Sequence, residues 1–393
     1  MKHIKENFRR MDKILLIFMF ILTIFGLVMI LSASNVAAVL EYNKKETYFF
    51  TKQAIIVGIS LFLFFIIINI KINRKLYLIL SWLLMGIAIV TLGTLRISGV
   101  ITNNAQSWLP IFGFKIQPSE FAKTAIIIYI AVGYGYHRNF KNMFSMLAYL
   151  IPCLFAVALV ALEPDLGTAS IMLAVIVLMF LSLPVKDNKL KVLKISLLLL
   201  CVVGYLGLYG MQGYFEKKES SSTQESRLLF TSPCSRYQDD TGYQVCNGFI
   251  AINNGGLFGV GLGKSTQKYL YLPEAYTDFI FPIIMEELGV LGGVFILILY
   301  LVLLYHILLI ATNSTDLIGS LIAFGTFSYI LMHILVNLGG VLGLIPLTGV
   351  PLPFLSYGGS YTLNLFILLG LVERVAIKNK NDTYQKEFKK ALG

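Results

Sequence analysis

Charge is what this sequence has least of. Asp, Glu, Lys and Arg make up 13% of its 393 residues, and hydrophobic residues make up 57%. That balance excludes an ordinary soluble enzyme, in which about a quarter of residues are charged. Cysteine is scarce as well, with four in the chain, and their spacing fits no common zinc motif. No internal repeat is visible, so the repeat signature of many transporters is missing. The first apolar run lacks a small-residue cleavage site and is too long for a signal-peptide core, so it reads as a helix. A phosphate loop is missing too. "GVGLGKS" (259–265) has Phe258 where the pattern requires glycine. That leaves the segment at most a backbone cradle for an anion.

Long apolar runs are what the chain has in quantity. Ten recur, at roughly 14–33, 52–70, 76–93, 119–136, 144–162, 168–184, 192–211, 279–305, 317–338 and 355–377. Each approaches or exceeds the length needed to span a bilayer. The expected fold is all-α, a polytopic membrane protein of about ten transmembrane helices forming one integral membrane domain over 1–393. The net charge of +11 does not signal nucleic acid. Lys2, Arg9, Arg10, Arg74, Lys75, Lys189, Lys191 and Arg374 fall in segments that are cytoplasmic if the N-terminus is inside. This positive-inside pattern puts both termini in the cytoplasm of a cell bounded by this membrane.

One loop is long. Residues 211–275 form an external stretch between helices 7 and 8, and loops of that length are often functional. "EKKESSSTQES" (216–226) reads as flexible, and "GFIAINNGGLFGVGLG" (248–263) as a short helix followed by glycine-rich turns. Cys234 and Cys246 share this loop. A disulfide between them would stabilise by about 3 kcal/mol, and sequence leaves the pairing open. Cys153 and Cys201 lie in apolar helices as packing residues.

Polar and helix-breaking residues collect on the external side. "NNAQSWLPIFGFKIQPSEFAK" (103–123) opens the fourth helix, "EPDLGTA" (163–169) joins helices five and six, and "GGVLGLIPLTGVPLPFLSYGGS" (339–360) lies between helices nine and ten. Proline and glycine at membrane depth must line a cavity or be buried in protein, since lipid cannot satisfy freed backbone groups. One shared external cleft is expected. Glu120 and Lys123 are three apart at a helix start and share a face. Capping accounts for Glu120 but not for a lysine one turn into an apolar helix, so the pair is a candidate for a polar cavity. Trp108 reads from position as an interfacial anchor. Asp165 is a good helix cap and also a candidate to orient a substrate or metal. His333 lies inside a helix, either as a helix–helix hydrogen bond or as a site residue near Asn337.

The densest signal is "LPEAYTDFIFPIIMEELG" (272–289), with Glu274, Asp278, Glu286 and Glu287 at the mouth of an apolar helix. Acids near lipid are costly and are functional candidates by default. Four exceed what capping needs. Glu274 and Asp278, four apart, would share a helical face. A carboxylate drawn partly out of water is a better base. Asp278 lies at the boundary of loop and membrane, where it can meet a hydroxyl on a substrate whose tail is in lipid.

These stretches carry a resemblance. "QPSEFAK", "EPDLGTA", "GYQ" (242–244), "AINNGGLFGVGLG", "LPEAYTDFIFPIIMEELG" and "GLIPLTGVPLPFLSYGGS" occur in that order over nearly the whole chain. They resemble the shape, elongation, division and sporulation (SEDS) family of FtsW, RodA and SpoVE. Tyr361 departs from the pattern, since the family usually has a small residue after "SYGGS". The resemblance implies a peptidoglycan glycosyltransferase that polymerises lipid II on the outer face of the bacterial cytoplasmic membrane, for division or elongation. Asp278 would be the general base on the acceptor sugar hydroxyl, with undecaprenyl pyrophosphate as leaving group. Trp108, Glu120, Lys123, Arg227, Gln244, Glu274 and His333 would contact substrate, and Asp165 and Ser356 would serve structure or substrate orientation. Mg²⁺ or Mn²⁺ would be the only cofactor, with no dedicated metal cluster and no organic cofactor. Partners would be lipid II, a class B penicillin-binding protein and other divisome or elongasome membrane proteins, with no nucleic acid. The wording of "LPEAYTDFIF" and the paired loop cysteines look closer to FtsW than to RodA.

Two other readings compete. A lipid II flippase or other transporter fits the broken helices and intramembrane charges, but needs a polar route to the cytoplasm. The charged helix residues lie mostly in the external half. A non-catalytic scaffold leaves the acids unexplained.

Overall fold

The computed structural model describes residues 2–70, 74–98, 100–102, 105–111, 114–136, 143–184, 188–212 and 229–392. A short helix α1 (Lys2–Arg10) precedes α2 (Lys13–Leu40) and α3 (Tyr48–Asn69). The Asp12 carboxylate caps α2, accepting from the N–H groups of Ile14 at 3.1 Å and Leu15 at 3.0 Å. Buried Ala33, Ser34, Ala37 and Ala38 along α2 allow close helix approach. After α4 (Arg74–Ser98) come β1 (Val100–Thr102), β2 (Ala105–Ile111) and β3 (Phe114–Ile116), an antiparallel meander. Then follow α5 (Pro118–Tyr136), α6 (Met143–Ala148), α7 (Ile151–Ala161), α8 (Leu166–Ser182), α9 (Asn188–Gly210) and α10 (Asp240–Gly255). The chain ends with α11 (Ile280–Thr312), α12 (Leu317–Val341) and α13 (Gly359–Leu392).

Eight helical stretches are long and apolar enough to cross a membrane, the pair α6 and α7 counting as one. α8 falls just short at 17 residues, and α5 has 19 residues but carries Glu120 and Lys123. With those two, helices occupy every predicted segment. The protein is a multi-pass membrane protein.

Three local departures have physical causes. The strands over 100–116 were not expected and precede the fourth predicted helix, which starts at Pro118, within one residue of its expected 119. Trp108, Ile111, Phe114 and Ile116 favour extended backbone, and Pro118 disfavours helix at Gln117 while suiting a helix start. The fifth predicted helix is split in two, because Pro152 cannot donate to the preceding turn. α11 is two helices joined at Gly289, which has φ 70° and ψ −173°, a conformation reserved for glycine.

α5, α12 and α13 form the interior, and α5 is buried along nearly all its length. α9 is the opposite and buries only Leu190. The chain's two ends lie together: Lys380 donates to the Met11 carbonyl at 2.7 Å, and Arg10 stacks over Tyr384. Between α12 and α13, residues 342–358 have no regular structure, yet Val350, Leu352, Phe354 and Leu355 are buried. Their backbone is enclosed in protein, as irregular chain at membrane depth requires.

Candidate active site

Asp278 lies in the turns before α11 and is 8% exposed. Thr277 Oγ1 lies 3.1 Å from its carboxylate. Its main chain is held from two sides. Asn337, on α12, donates through Nδ2 to the Asp278 carbonyl at 2.7 Å and to the Val350 carbonyl at 2.8 Å. One amide thus pins the acid-bearing turn to the irregular 342–358 segment. Close by, the Tyr357 N–H donates to the Tyr276 carbonyl at 2.9 Å. Burial first, and the hydrogen bond to Tyr42 second, pushes the Tyr276 phenol up, so it stays neutral. Gly349 faces the acid: a methyl group there would sit 3.6 Å from Asp278 Oδ2.

One helical turn along α12 from Asn337, His333 continues the polar column. Its Nδ1 lies 3.3 Å from the Pro351 carbonyl and its Nε2 3.2 Å from Lys123 Nζ. An ammonium can only donate, so Nε2 accepts and the proton sits on Nδ1, facing the carbonyl. Lys123 also donates to Glu120 at 2.8 Å, and Tyr329 donates to the other Glu120 oxygen at 3.3 Å. Tyr361, the departure from the family pattern, packs its ring 4.8 Å from His333 and 6.1 Å from Tyr329. Glu120 and Lys123 are 2% and 1% exposed. Their charges balance inside the protein, and the ammonium is committed to internal partners in this conformation.

The four acids of 272–289 separate into different tasks. Residues 272–279 are turns rather than helix, so Glu274 and Asp278 do not share a helical face. Glu274 is exposed and accepts from Thr277 Oγ1 at 2.7 Å. Glu286 and Glu287 are fully buried. Glu286 accepts from Thr266 Oγ1 at 2.8 Å, from the N–H groups of Thr266 and Gln267, and from Ser265 Oγ. Glu287 accepts from Ser32 Oγ at 2.6 Å, from Lys268 Nζ at 3.2 Å and from the Ser265 N–H at 3.4 Å. The "GVGLGKS" amides form no anion cradle: those of Val260 and Gly261 bond the main-chain carbonyls of Glu286 and Glu287, and the Ser265 N–H alone reaches a carboxylate, that of Glu287. Asp278 is left as the acid at the mouth.

The remaining candidates are dispersed. Asp165 caps α8 by accepting from the Thr168 N–H at 3.0 Å, and it accepts from Gln117 Nε2 at 3.3 Å ahead of α5. Ser356 Oγ accepts from the Leu352 N–H at 2.8 Å and closes a turn. Trp108 is half-buried on β2, opposite Val100. Gln244 is half-buried on α10. Cys234 and Cys246 are bonded, with Cα atoms 4.9 Å apart. Arg227 lies outside the described residues. Among the described residues, no three His, Cys, Asp or Glu side chains are grouped to hold a metal ion.

Sequence reasoning undervalued Asn337, Tyr329 and Lys268. Asn337 was legible as the residue four positions after His333 on one helical face. Tyr329 is four before it. Lys268 gave no local signal, because its partners Ser32 and Glu287 are distant in sequence.

The sequence model of the FtsW/RodA/SpoVE family, described as "Cell cycle protein", matches residues 12–381. Stage V sporulation protein E of Bacillus subtilis is 36% identical over 374 residues, covering 93% of this chain and 96% of that protein. The probable peptidoglycan glycosyltransferase FtsW of the same organism is 33% identical over 391 residues, covering 98% and 95%. Among solved structures, the rod shape determining protein RodA of Thermus thermophilus aligns with a TM-score of 0.66 at 24% identity, covering 94% of this chain and 97% of that one. A chain from a peptidoglycan synthase complex aligns with a TM-score of 0.72, also at 24% identity, covering 94% and 98%. The fold, the order of the motifs and a match over nearly the whole length agree, and the chain belongs to the FtsW/RodA/SpoVE family of cell cycle proteins.

Proposed function

We propose that this protein is a peptidoglycan glycosyltransferase that polymerises lipid II at the outer face of the cytoplasmic membrane. The observation that carries the reading is Asp278. It is the one acid of its cluster that lies at the mouth of a spanning helix, mostly buried, with its main chain pinned by Asn337. The name of the FtsW relative supports the reaction class.

In this reading Asp278 takes the proton of the acceptor sugar hydroxyl. The oxygen attacks the donor's anomeric carbon, the bond to pyrophosphate breaks, and undecaprenyl pyrophosphate leaves with the electron pair. Holding the base at a fixed depth brings the two lipid-linked sugars together at the boundary where both must reside. We assign Glu120, Lys123 and His333 to positioning. Their column supports the carbonyl of Pro351 and so the wall opposite Asp278. Trp108, Gln244, Glu274 and Arg227 remain the candidates to touch substrate, with Asp165 and Ser356 shaping the segments around them. A carboxylate such as Asp278 fits Mg²⁺ or Mn²⁺ only in company with substrate phosphates, the usual way such ions are held. Bound there, the ion would offset charge on the pyrophosphate. The partner proposed is a class B penicillin-binding protein; the similar solved chain comes from a peptidoglycan synthase complex.

The test is polymer formation from purified lipid II by the detergent-purified protein, with a class B partner that lacks glycosyltransferase activity of its own. Glycan strands are expected. Translocation of lipid II across liposomes with no polymer formed would overturn the reading in favour of a flippase.

A further inference from the structure

The loop after α10 exposes a series of apolar side chains. Leu257 is 62% exposed, Phe258 80%, Leu262 54%, Tyr269 56% and Tyr271 57%. The loop is nonetheless firmly built. The N–H groups of Val260 and Gly261 donate to the carbonyls of Glu286 and Glu287 at 2.9 and 3.0 Å. The buried carboxylates of the same two residues hold its second half. Apolar side chains fixed outward on a rigid loop mark a surface that something covers.

Two observations say what covers it. The Val290 N–H donates to the Gly256 carbonyl at 2.9 Å and the Leu291 N–H to the Leu257 carbonyl at 3.2 Å. Leu257 and Phe258 therefore adjoin the start of the long leg of α11. Along that leg Leu291, Val294, Phe295 and Ile298 continue as an exposed apolar row. The second observation is length. From Val290 to Thr312 the leg measures roughly 34 Å at 1.5 Å per residue, close to the hydrocarbon thickness of about 30 Å. The Gly289 kink thus lies at a bilayer boundary, and the loop is bonded to it. Tyrosines and an exposed lysine, here Tyr269, Tyr271 and Lys264, suit that depth.

We propose that residues 256–271 form an interfacial wedge seated in the lipid leaflet on the Asp278 side, continuous with the lipid-facing row of α11. Lipid headgroups and the upper acyl chains are its partner. Because the loop is bonded to Glu286 and Glu287, immersion also sets the depth of the short leg of α11 that follows Asp278. The proposal stands apart from the glycosyl-transfer reading, since its test involves no turnover.

The experiment uses the full-length chain with Cys201→Ser and Phe258→Cys, labelled with an environment-sensitive fluorophore and placed in phosphatidylcholine–phosphatidylglycerol nanodiscs. Cys153 is buried and Cys234 is bonded to Cys246, so the label goes to position 258. Val294→Cys on the spanning row and Lys45→Cys in an exposed loop calibrate the two extremes. Expected are blue-shifted emission, loss of most fluorescence to lipids carrying a shallow nitroxide, and little loss to aqueous iodide. Iodide quenching as strong as at position 45 would overturn the wedge. Protection from both quenchers would overturn it too, since protein, such as a second copy, would then cover the loop. Leu262→Cys, read in the same way, guards against misfolding of the first variant.

Discussion

Replacing Lys268 with methionine tests how the acid-bearing segment is built. Lys268 and Glu287 have side-chain exposures of 1% and 0% and lie 3.2 Å apart. The ammonium also donates to the Gly263 carbonyl at 2.6 Å and to Ser32 Oγ at 3.3 Å. Methionine keeps the stem and removes the charge. Glu287 then remains an enclosed carboxylate with only Ser32 and one backbone N–H. Stranding one member of a buried pair costs about 3–5 kcal/mol. If the cost is met by local opening, amide exchange over 259–268 accelerates at least on the order of a hundredfold, since each 1.4 kcal/mol is about tenfold. The double variant Lys268→Met with Glu287→Gln removes the stranded charge and still accepts from Ser32. It should return most of the lost protection, because replacing both partners of a buried pair is often near neutral. Hydrogen exchange read by mass spectrometry on the three proteins decides the matter. Unchanged exchange in the single variant, or a double variant no better than the single, would refute the reasoning from burial.

Other outcomes follow from the same contacts. Asn337→Ala leaves the carbonyls of Asp278 and Val350 without their shared donor, at about 1–3 kcal/mol each. Both the melting temperature and the polymerisation rate should fall although Asp278 is untouched. Gly349→Ala has room for its methyl group but must hold φ 68°, so about 1–2 kcal/mol of backbone strain should lower the melting temperature. The disulfide joins residues 12 apart, and Cys234→Ser with Cys246→Ser should cost about 3 kcal/mol. That loss should appear as a melting temperature that no longer responds to reductant, whereas reductant lowers that of the wild type.

The spanning helices were legible because hydrocarbon thickness sets their length, and the helix-or-strand ambiguity of short apolar runs vanishes over runs of about twenty residues. The polar column was legible in part. Glu120, Lys123 and His333 stood out as charges and a histidine in apolar helices, and they do meet. The split of the acid cluster was legible only in part. Position at the loop–membrane boundary set Asp278 apart from the deeper Glu286 and Glu287, but the partners that occupy those two, Ser32, Ser265 and Lys268, are brought in by the tertiary fold. The strands before α5 and the kink at Gly289 were missed for a related reason. In both places a local backbone preference interrupts a longer apolar pattern.

Asp278 is the proposed base, and the direct measurement is the initial rate of lipid II polymerisation by wild type and Asp278→Asn. Both would be purified with the same class B partner and checked for equal folding by circular dichroism. The carboxamide keeps the shape and the backbone contacts of Asp278 but cannot take a proton at neutral pH. General-base catalysis contributes about 10²–10⁴-fold, so the variant should lose at least on the order of a hundredfold in rate while still binding lipid II. A variant that polymerises at the wild-type rate would remove Asp278 from the chemistry and contradict the account.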